Sequence, residues 1–306
     1  MLTRNWMQWT SECSFALAVD RNNESLADSA QEIISRISQQ VEMTCNRFDA
    51  SSEMSRINAA GTGSYVLSSV LADVIRESLA ASHLTEGAFD PRVQPALEEL
   101  GYTSHGLLVK ATHQGWKATA ISEKTLDESV QLTGNRLTLA EGTALDLTAM
   151  AKAYTADRCA REIAQQLGVP VFINLGGDIA TAGSSNYPWL IKIQDLDTDP
   201  CEYVELINNA AIATSSTQKR RWVADGHAWH HIIDPRTGLS AHPYLRTASV
   251  IAGSATVANA LSTAAVVWGE DAAENLERGG YSARLMASSH AITRTHWHQP
   301  VTDLVS

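Results

Sequence analysis

The chain has few cysteines and no cysteine pair. Its four cysteines are Cys13, Cys45, Cys159 and Cys201, which are far apart and form no CxxC motif. The spacing therefore predicts neither a zinc site nor a redox dithiol. We expect reduced thiols in a reducing compartment.

The chain also lacks long apolar runs and an excess of positive charge. No stretch reaches the roughly 18 apolar residues of a membrane span, and the N-terminus has no apolar run followed by a small-residue cleavage site. We therefore expect a cytoplasmic protein with no membrane span. The formal net charge of -11 argues against nucleic acid as a partner, because a surface that follows phosphates needs surplus Lys and Arg.

The composition is typical of a globular protein, with 44% hydrophobic and 19% charged residues. Apolar residues recur at steps of three and four in four segments, which predicts four helices. These helices cover about 26–41, 68–84, 146–167 and 254–268. We interpret CNRFDASSEMSRIN as a polar loop, and residues 101–139 as irregular with short strand-like pieces.

Short apolar stretches separated by turn signals predict antiparallel strands, mostly in the second half of the chain. They are SFALAVD, VFIN, WLIKIQD, YVELI, AAIATS, WHHIID and TASVIAG. No repeat or Pro/Ser-rich linker marks a boundary. We therefore predict an α+β protein in which residues 1–306 form a single interleaved domain, with two lobes as the alternative.

The stretch HHIIDPRTG, residues 230–238, has two interpretations. In the first, a strand that contains His231 ends at the turn DPRTG. In the second, this turn places a histidine that exchanges protons near neutral pH beside Arg236, whose guanidinium is suited to phosphate. The local sequence does not decide between them.

The segment ALDLTAMAKAYTADR can begin a helix that binds phosphate. Asp146 or Thr148 can cap it, and the free N–H groups of a first helical turn attract phosphate. Lys152 lies one turn further along and can add a positive charge beside a diphosphate. A solvated lysine is the alternative.

Two further segments combine polar and apolar features. FINLGGDIATAG predicts a strand opening into Gly176-Gly177, either as a tight turn or as a loop that approaches a ligand; it is not GxGxxG, so a Rossmann dinucleotide site is not expected. Asn259 and Thr263 lie four residues apart on one face of an apolar helix. If buried they need partners, which backbone groups or a cation such as Mg²⁺ can provide.

With EGAFDPRVQPAL, these segments resemble the ApbE family, the FAD:protein FMN transferases. The matches run in order over about 48–269. RFDASSEMSRIN resembles the family's Ser-Glu-Leu-Ser-Arg-Leu-Asn loop, LDLTAMAKAYTADR its DLGGIAKGYAVD helix, EGAFDPRVQPAL its GAFDP segment, FINLGGDIATAG its NxGG strand, AIATSS its ATSG strand, and HIIDPRTG is nearly identical to its counterpart. The resemblance implies an ApbE-like, T-fold-like arrangement of mainly antiparallel sheets with packed helices.

The resemblance also implies a site for FAD and Mg²⁺ and a reaction. FMN would pass from FAD to a Thr or Ser hydroxyl of an acceptor flavoprotein, with release of AMP; this is phosphoryl transfer. By motif position, His231 is the implied base, and the implied metal ligands are the Ala149 carbonyl, Asn259 and Thr263. The implied FAD-binding residues are Phe48, Ala88, Phe89, Asp90, Asp146, Lys152 and Ile232.

The chain departs from the family pattern at several of these positions. Asn259 stands where the family has Asp, and losing a unit charge at contact costs on the order of 4 kcal/mol, so we expect weaker Mg²⁺ binding. Trp9 and Ser216 replace glycines. If the protein is an active transferase, Asp146 or Asp178 would supply the negative charge that Asn259 does not give to the Mg²⁺ site. The alternatives are an FAD-binding relative without transfer and an enzyme that hydrolyses FAD to FMN and AMP.

Overall fold

The computed structural model describes residues 1–297 except 21, 105–106, 109–119, 187, 208 and 225. The α-helices are α1 Glu24–Cys45, α2 Glu53–Ala60, α3 Ser69–Leu84, α4 Gln94–Glu99, α5 Leu126–Ser129, α6 Thr148–Leu167, α7 Ala255–Trp268 and α8 Ala272–Arg278. The strands of the first half are β1 Leu2–Gln8, β2 Ser11–Leu17, β3 Gly63–Val66, β4 Tyr102–Ser104, β5 Leu107–Leu108, β6 Val130–Thr133 and β7 Arg136–Leu139. The strands of the second half are β8 Val171–Leu175, β9 Asp178–Ala182, β10 Trp189–Ile193, β11 Glu202–Leu206, β12 Ala211–Ser216, β13 Arg221–Ala224, β14 His227–His230, β15 Ile233–Asp234, β16 Leu239–Ser240, β17 Leu245–Ala252, β18 Ser282–Ala287 and β19 Ile292–Thr295.

The largest sheet in the described part of the chain has eight antiparallel strands in the order β1-β2-β8-β9-β12-β17-β18-β19. Successive side chains of a strand point to opposite faces of the sheet, and both faces of this sheet carry apolar side chains. On one face, Ile173 and Ala180 pack with Ala156 and Ile163 of α6, and α7 packs beside α6. The β10–β11 hairpin covers the other face.

Two smaller groups of elements pack beside the large sheet. The first packs α1, α2 and α3 against the sheet β3-β7-β6 and the start of α6, with Val41, Leu71 and Met150 in its core. The second is the β13–β14 hairpin, whose Trp222 and Trp229 pack on α4. The start of α6 therefore lies between the large sheet and both smaller groups.

The predicted α+β class is confirmed, and the four predicted helices correspond to α1, α3, α6 and α7. Residues 105–106 and 109–119 of the predicted irregular segment lie outside the described residues. No helix in the described ranges is both long enough and apolar enough to cross a bilayer.

Two predictions of local structure were wrong. The segment interpreted as a polar loop contains α2, which begins because the Ser52 hydroxyl accepts the Ser55 N–H at 3.2 Å. WHHIID is not one strand, because β14 ends at His230 and β15 begins at Ile233. Between the two strands the Ile232 N–H donates to His230 Nδ1 at 3.3 Å, so it is bonded to a side chain and not to a partner strand.

Candidate active site

A cavity of about 550 Å³ lies where the start of α6, the edge of β9 and β12, α7 and the β13–β14 hairpin meet. It brings together all the residues that the resemblance implied. The lining includes Phe48, Ala88, Phe89, Asp90, Asp146, Ala149, Lys152, His231, Ile232, Asn259 and Thr263.

Asp146 organises the first turn of α6. Its Oδ1 accepts the Thr148 N–H at 2.8 Å and the Thr148 hydroxyl at 2.6 Å. The residue in the N-cap position is Leu147, which makes no side-chain cap, so the capping oxygen comes from Asp146 and not from Thr148. Asp146 Oδ2 lies 3.1 Å from Nε of the buried Arg47. The Asp146 charge is therefore already paired within the protein.

Lys152 faces the cavity and is not a solvated helix lysine. Burial, and after it the positive charge of Arg220, lowers the pKa of Lys152 to about 8, although the Asp178 carboxylate acts in the opposite direction. Arg220 also lines the cavity. Two cationic side chains thus face the same space, next to the free N–H groups of the α6 terminus.

The glycine pair forms the tight turn between β8 and β9 and also reaches the cavity wall. Gly176 has a φ of 67°, and a Cβ there would lie 2.7 Å from the Ser11 Cβ. The Asn174 side chain accepts the Gly177 N–H at 2.9 Å. Gly176 therefore allows the β1–β2 turn to pack closely on this part of the lining.

Asp178 and Asn259 meet at the floor of the cavity. Asn259 Nδ2 donates to Asp178 Oδ1 at 2.9 Å, and both side chains are buried. Burial raises the pKa of Asp178 to about 6, although Lys152 and the Asn259 hydrogen bond oppose this. Asn259 Oδ1 is buried without a hydrogen-bond partner among the described residues.

Hydroxyl groups continue this floor along α7. Ser215 Oγ of β12 lies 3.1 Å from Thr263 Oγ1 and 2.9 Å from Ser262 Oγ. The described residues contain no group of three or more His, Cys, Asp or Glu side chains arranged to hold a metal ion. A cation here would need amide, hydroxyl or carbonyl oxygens as well as a carboxylate.

His231 lies in the gap between β14 and β15 and lines the cavity. Burial, followed by the charge of Arg220, holds its pKa well below 6.5. Its Nδ1 is buried and has no hydrogen-bond partner within the described ranges. The ring is therefore a neutral imidazole that keeps one nitrogen without a protein partner among the described residues.

Arg236 does not share this location. Its guanidinium pairs with Asp234 through Nη2–Oδ2 at 2.8 Å and Nε–Oδ1 at 2.9 Å, and 71% of the side chain is exposed. It does not belong to the cavity lining. The phosphate interpretation of DPRTG is therefore wrong for this arginine.

The cavity has an aromatic wall, of which the sequence predicted Phe48 but not Tyr102 and Trp222. Tyr102 stacks on Trp222 with ring centroids 5.2 Å apart and meets Phe48 edge-on at 6.0 Å. The Arg47 guanidinium lies 4.5 Å from the Phe48 ring centroid. The available signal was the Trp that follows the basic run KRR, which places cationic and aromatic side chains side by side.

The other implied residues shape the walls. Asp90 is buried and accepts from the Arg92 guanidinium, with Nη2 at 2.7 Å from Oδ2, so it holds the turn that carries Ala88 and Phe89. Trp9 has a φ of 50° in the β1–β2 turn and lines the cavity, as does Ser216. Both departures from glycine thus border the predicted site.

Comparison with known proteins gives consistent matches. A sequence model of the ApbE family matches residues 8–285. The FAD:protein FMN transferase of Klebsiella pneumoniae (strain 342) is 32% identical, with 75% of this chain and 71% of that protein covered. That of Haemophilus influenzae is 27% identical, with 83% and 77% covered. The crystal structure of the ApbE protein from Thermotoga maritima has a TM-score of 0.80 and 26% identity over 96% of both chains.

Proposed function

The chain belongs to the ApbE family, and from that premise we propose that it is an FAD:protein FMN transferase. It moves FMN from FAD to a Thr or Ser hydroxyl of an acceptor protein and releases AMP. One observation carries the proposal: the neutral His231, the cationic Lys152 and Asn259, whose Oδ1 is buried without a hydrogen-bond partner among the described residues, all line a single cavity.

The cavity offers separate surroundings for the two parts of FAD. The diphosphate lies at the first turn of α6, where backbone N–H groups, Lys152 and Arg220 favour negative charge. The flavin lies against the aromatic and apolar wall that includes Phe48, where ring faces and aliphatic groups exclude water. Asp146 and Asp90 hold these elements in place through Arg47 and Arg92.

The donor set suits Mg²⁺. Asn259 Oδ1 is a buried oxygen without a partner in the described part of the chain, Thr263 lies one helical turn further along, and Ala149, whose carbonyl the resemblance implies as a ligand, also lines the cavity. Hard divalent cations prefer such oxygen ligands. When bound, Mg²⁺ neutralises charge that grows on the diphosphate.

His231 acts as the base. Its pKa lies well below 6.5, so the imidazole is neutral at pH 7 and can accept the proton of the acceptor hydroxyl. The hydroxyl oxygen then bonds to the phosphorus on the riboflavin side of the diphosphate. The bond from that phosphorus to the bridging oxygen breaks, and AMP leaves with its charge stabilised by Lys152 and Arg220.

The test uses the purified protein with FAD, Mg²⁺ and an acceptor domain that carries a single candidate Thr. Transfer is expected to add one FMN moiety to the intact mass of the acceptor and to release one AMP per FMN added. AMP release without a mass gain would replace transfer with hydrolysis. FAD binding with neither product would leave a flavin-binding protein.

A further inference from the structure

We propose that Asp178 supplies the negative charge of the divalent-cation site and that Asn259 contributes a neutral oxygen beside it. This inference rests on the proposed function, because the cation would accompany the diphosphate of FAD. The family resemblance places a carboxylate on α7, where this chain has an amide. In this chain the carboxylate stands one hydrogen bond away, on β9.

The other carboxylates of the lining are unsuited to this role. Asp146 gives Oδ1 to Thr148 and Oδ2 to Arg47. Both oxygens of Asp90 are engaged by the Arg92 guanidinium. Glu42 is exposed on α1, whereas Asp178 is buried beside Asn259. Among these described side chains, Asp178 therefore has the freest carboxylate.

Asp178 is a buried charge without a direct counter-ion. The residue is 7% exposed, and no ion pair within 4.0 Å among the described residues includes it. The Lys152 charge acts on it only from beyond that distance. One neutral donor, Asn259 Nδ2, approaches Oδ1. A buried carboxylate is costly unless a cation or several hydrogen bonds compensate it. A bound divalent ion would provide that compensation.

The amide orientation of Asn259 follows from the same contact. An ionised carboxylate only accepts, so the nitrogen of the amide must face Asp178 and the oxygen must face away. That oxygen belongs to a residue that is 8% exposed, and it is the Oδ1 that has no hydrogen-bond partner among the described residues. Asp178 and Asn259 thus bring one carboxylate and one amide oxygen to the same part of the lining, with Thr263 one helical turn beyond.

The arrangement changes the expectation drawn from the sequence. Asn259 alone removes one negative charge from α7 and predicts weak Mg²⁺ binding. With Asp178 at hydrogen-bond distance, the pair retains one carboxylate and one amide. Exchanging the two residues should therefore conserve the charge and the number of oxygen ligands of the site.

The inference is tested by measuring Mn²⁺ affinity in the presence of saturating FAD and without an acceptor protein. Binding is monitored as the decrease of the EPR signal of free Mn²⁺. Asp178→Asn is expected to weaken Mn²⁺ affinity at least about tenfold, and Asn259→Asp to strengthen it. The exchanged double variant Asp178→Asn/Asn259→Asp is expected to return to within about threefold of the parent protein. Asp199→Asn, which alters a buried carboxylate paired with Arg246 outside the lining, is the matched control and should leave Mn²⁺ affinity unchanged.

Unchanged affinity in a folded Asp178→Asn protein would overturn the inference. If that variant does not fold, the exchanged double variant decides: loss of Mn²⁺ binding with a native circular dichroism spectrum would overturn it equally. The metal readout separates this inference from the proposed function. If the parent protein binds Mn²⁺ but leaves the acceptor unmodified, the proposed transfer is contradicted and the cation site is not. If Asp178→Asn still transfers FMN and binds Mn²⁺ with unchanged affinity, the role of Asp178 is contradicted and the transferase function is not.

Discussion

The Nε2 of His230 lies 2.9 Å from the carbonyl oxygen of Ala241. The Nδ1 of the same ring accepts the Ile232 N–H at 3.3 Å, so both nitrogens are used to shape the chain. The next residue, His231, lines the cavity with Nδ1 unpartnered in the described ranges. Two adjacent histidines of one motif thus have different surroundings: His230 is bonded to the backbone through both nitrogens, and His231 borders the candidate site.

Replacing His231 by Ala is expected to lower the rate of flavin transfer by roughly 10²–10⁴-fold, as for loss of a general base. FAD affinity should stay within about threefold, because the diphosphate contacts remain. Single-turnover flavinylation and FAD fluorescence titration measure the two effects. His230→Asn should instead lower the melting temperature while folded protein still transfers. Full transfer by the His231 variant would remove the base assignment.

FAD affinity is expected to fall as the pH rises through about 8. The Lys152 pKa is lowered to about 8, so its ammonium charge is present below that pH and is lost above it. Binding a diphosphate raises this pKa again, so calorimetry near the midpoint should detect proton uptake. Dissociation constants measured across this pH range provide the profile.

Lys152→Arg is the matched variant for the pH profile, because a guanidinium stays charged throughout this range. Its FAD affinity should show no decline near pH 8, whatever its absolute value. An identical decline in both proteins would assign the titration to another group.

Glu202→Ala is expected to destabilise the fold by about 3–5 kcal/mol, as removal of one partner from a buried ion pair does. Glu202 Oε2 lies 2.7 Å from Nε of the buried Arg284, and Glu202 Oε1 accepts from Trp297 Nε1 at 2.9 Å. Guanidinium denaturation measures the change. Glu205→Ala removes an exposed carboxylate from the same strand, and its free energy of unfolding should stay within about 0.5 kcal/mol of the parent. Equal losses of unfolding free energy in the two variants would contradict the role of burial.

Arg236→Ala is expected to leave FAD affinity and transfer unchanged. The side chain is 71% exposed and pairs with Asp234, and exposed pairs contribute about 0–1 kcal/mol. Urea midpoints and FAD titration check both statements. A tenfold loss of FAD affinity would return this arginine to the phosphate site.

Periodic sequence patterns were sufficient for the long helices. In α7 an apolar circumference and the four-residue spacing of Asn259 and Thr263 predicted a buried helix with two polar groups on one face, and both line the cavity. In α2 the segment EMSRINAA buries only Met54 and Ile57. Its pattern is too short to distinguish from a loop.

Contacts between distant segments were beyond the sequence argument. Trp222 and Tyr102 stack because the β13–β14 hairpin packs on α4. No periodic pattern in the local sequence predicts this contact. The hydrogen bond between Asp178 and Asn259 spans 81 residues. The sequence offered Asp146 and Asp178 equally as sources of charge, and it was the pairing of Asp146 with Arg47 that distinguished them.

The lining begins at Trp9, in the turn between the first two strands, and ends at Thr263 in α7. A chain leaving the ribosome therefore does not have the complete cavity, the proposed FAD site, until α7 has been synthesised and packed. A fragment cut anywhere between these two segments has lost part of the wall. Because a ligand that binds only the native state stabilises it by mass action, FAD would protect finished molecules from proteases and leave unfinished ones unprotected.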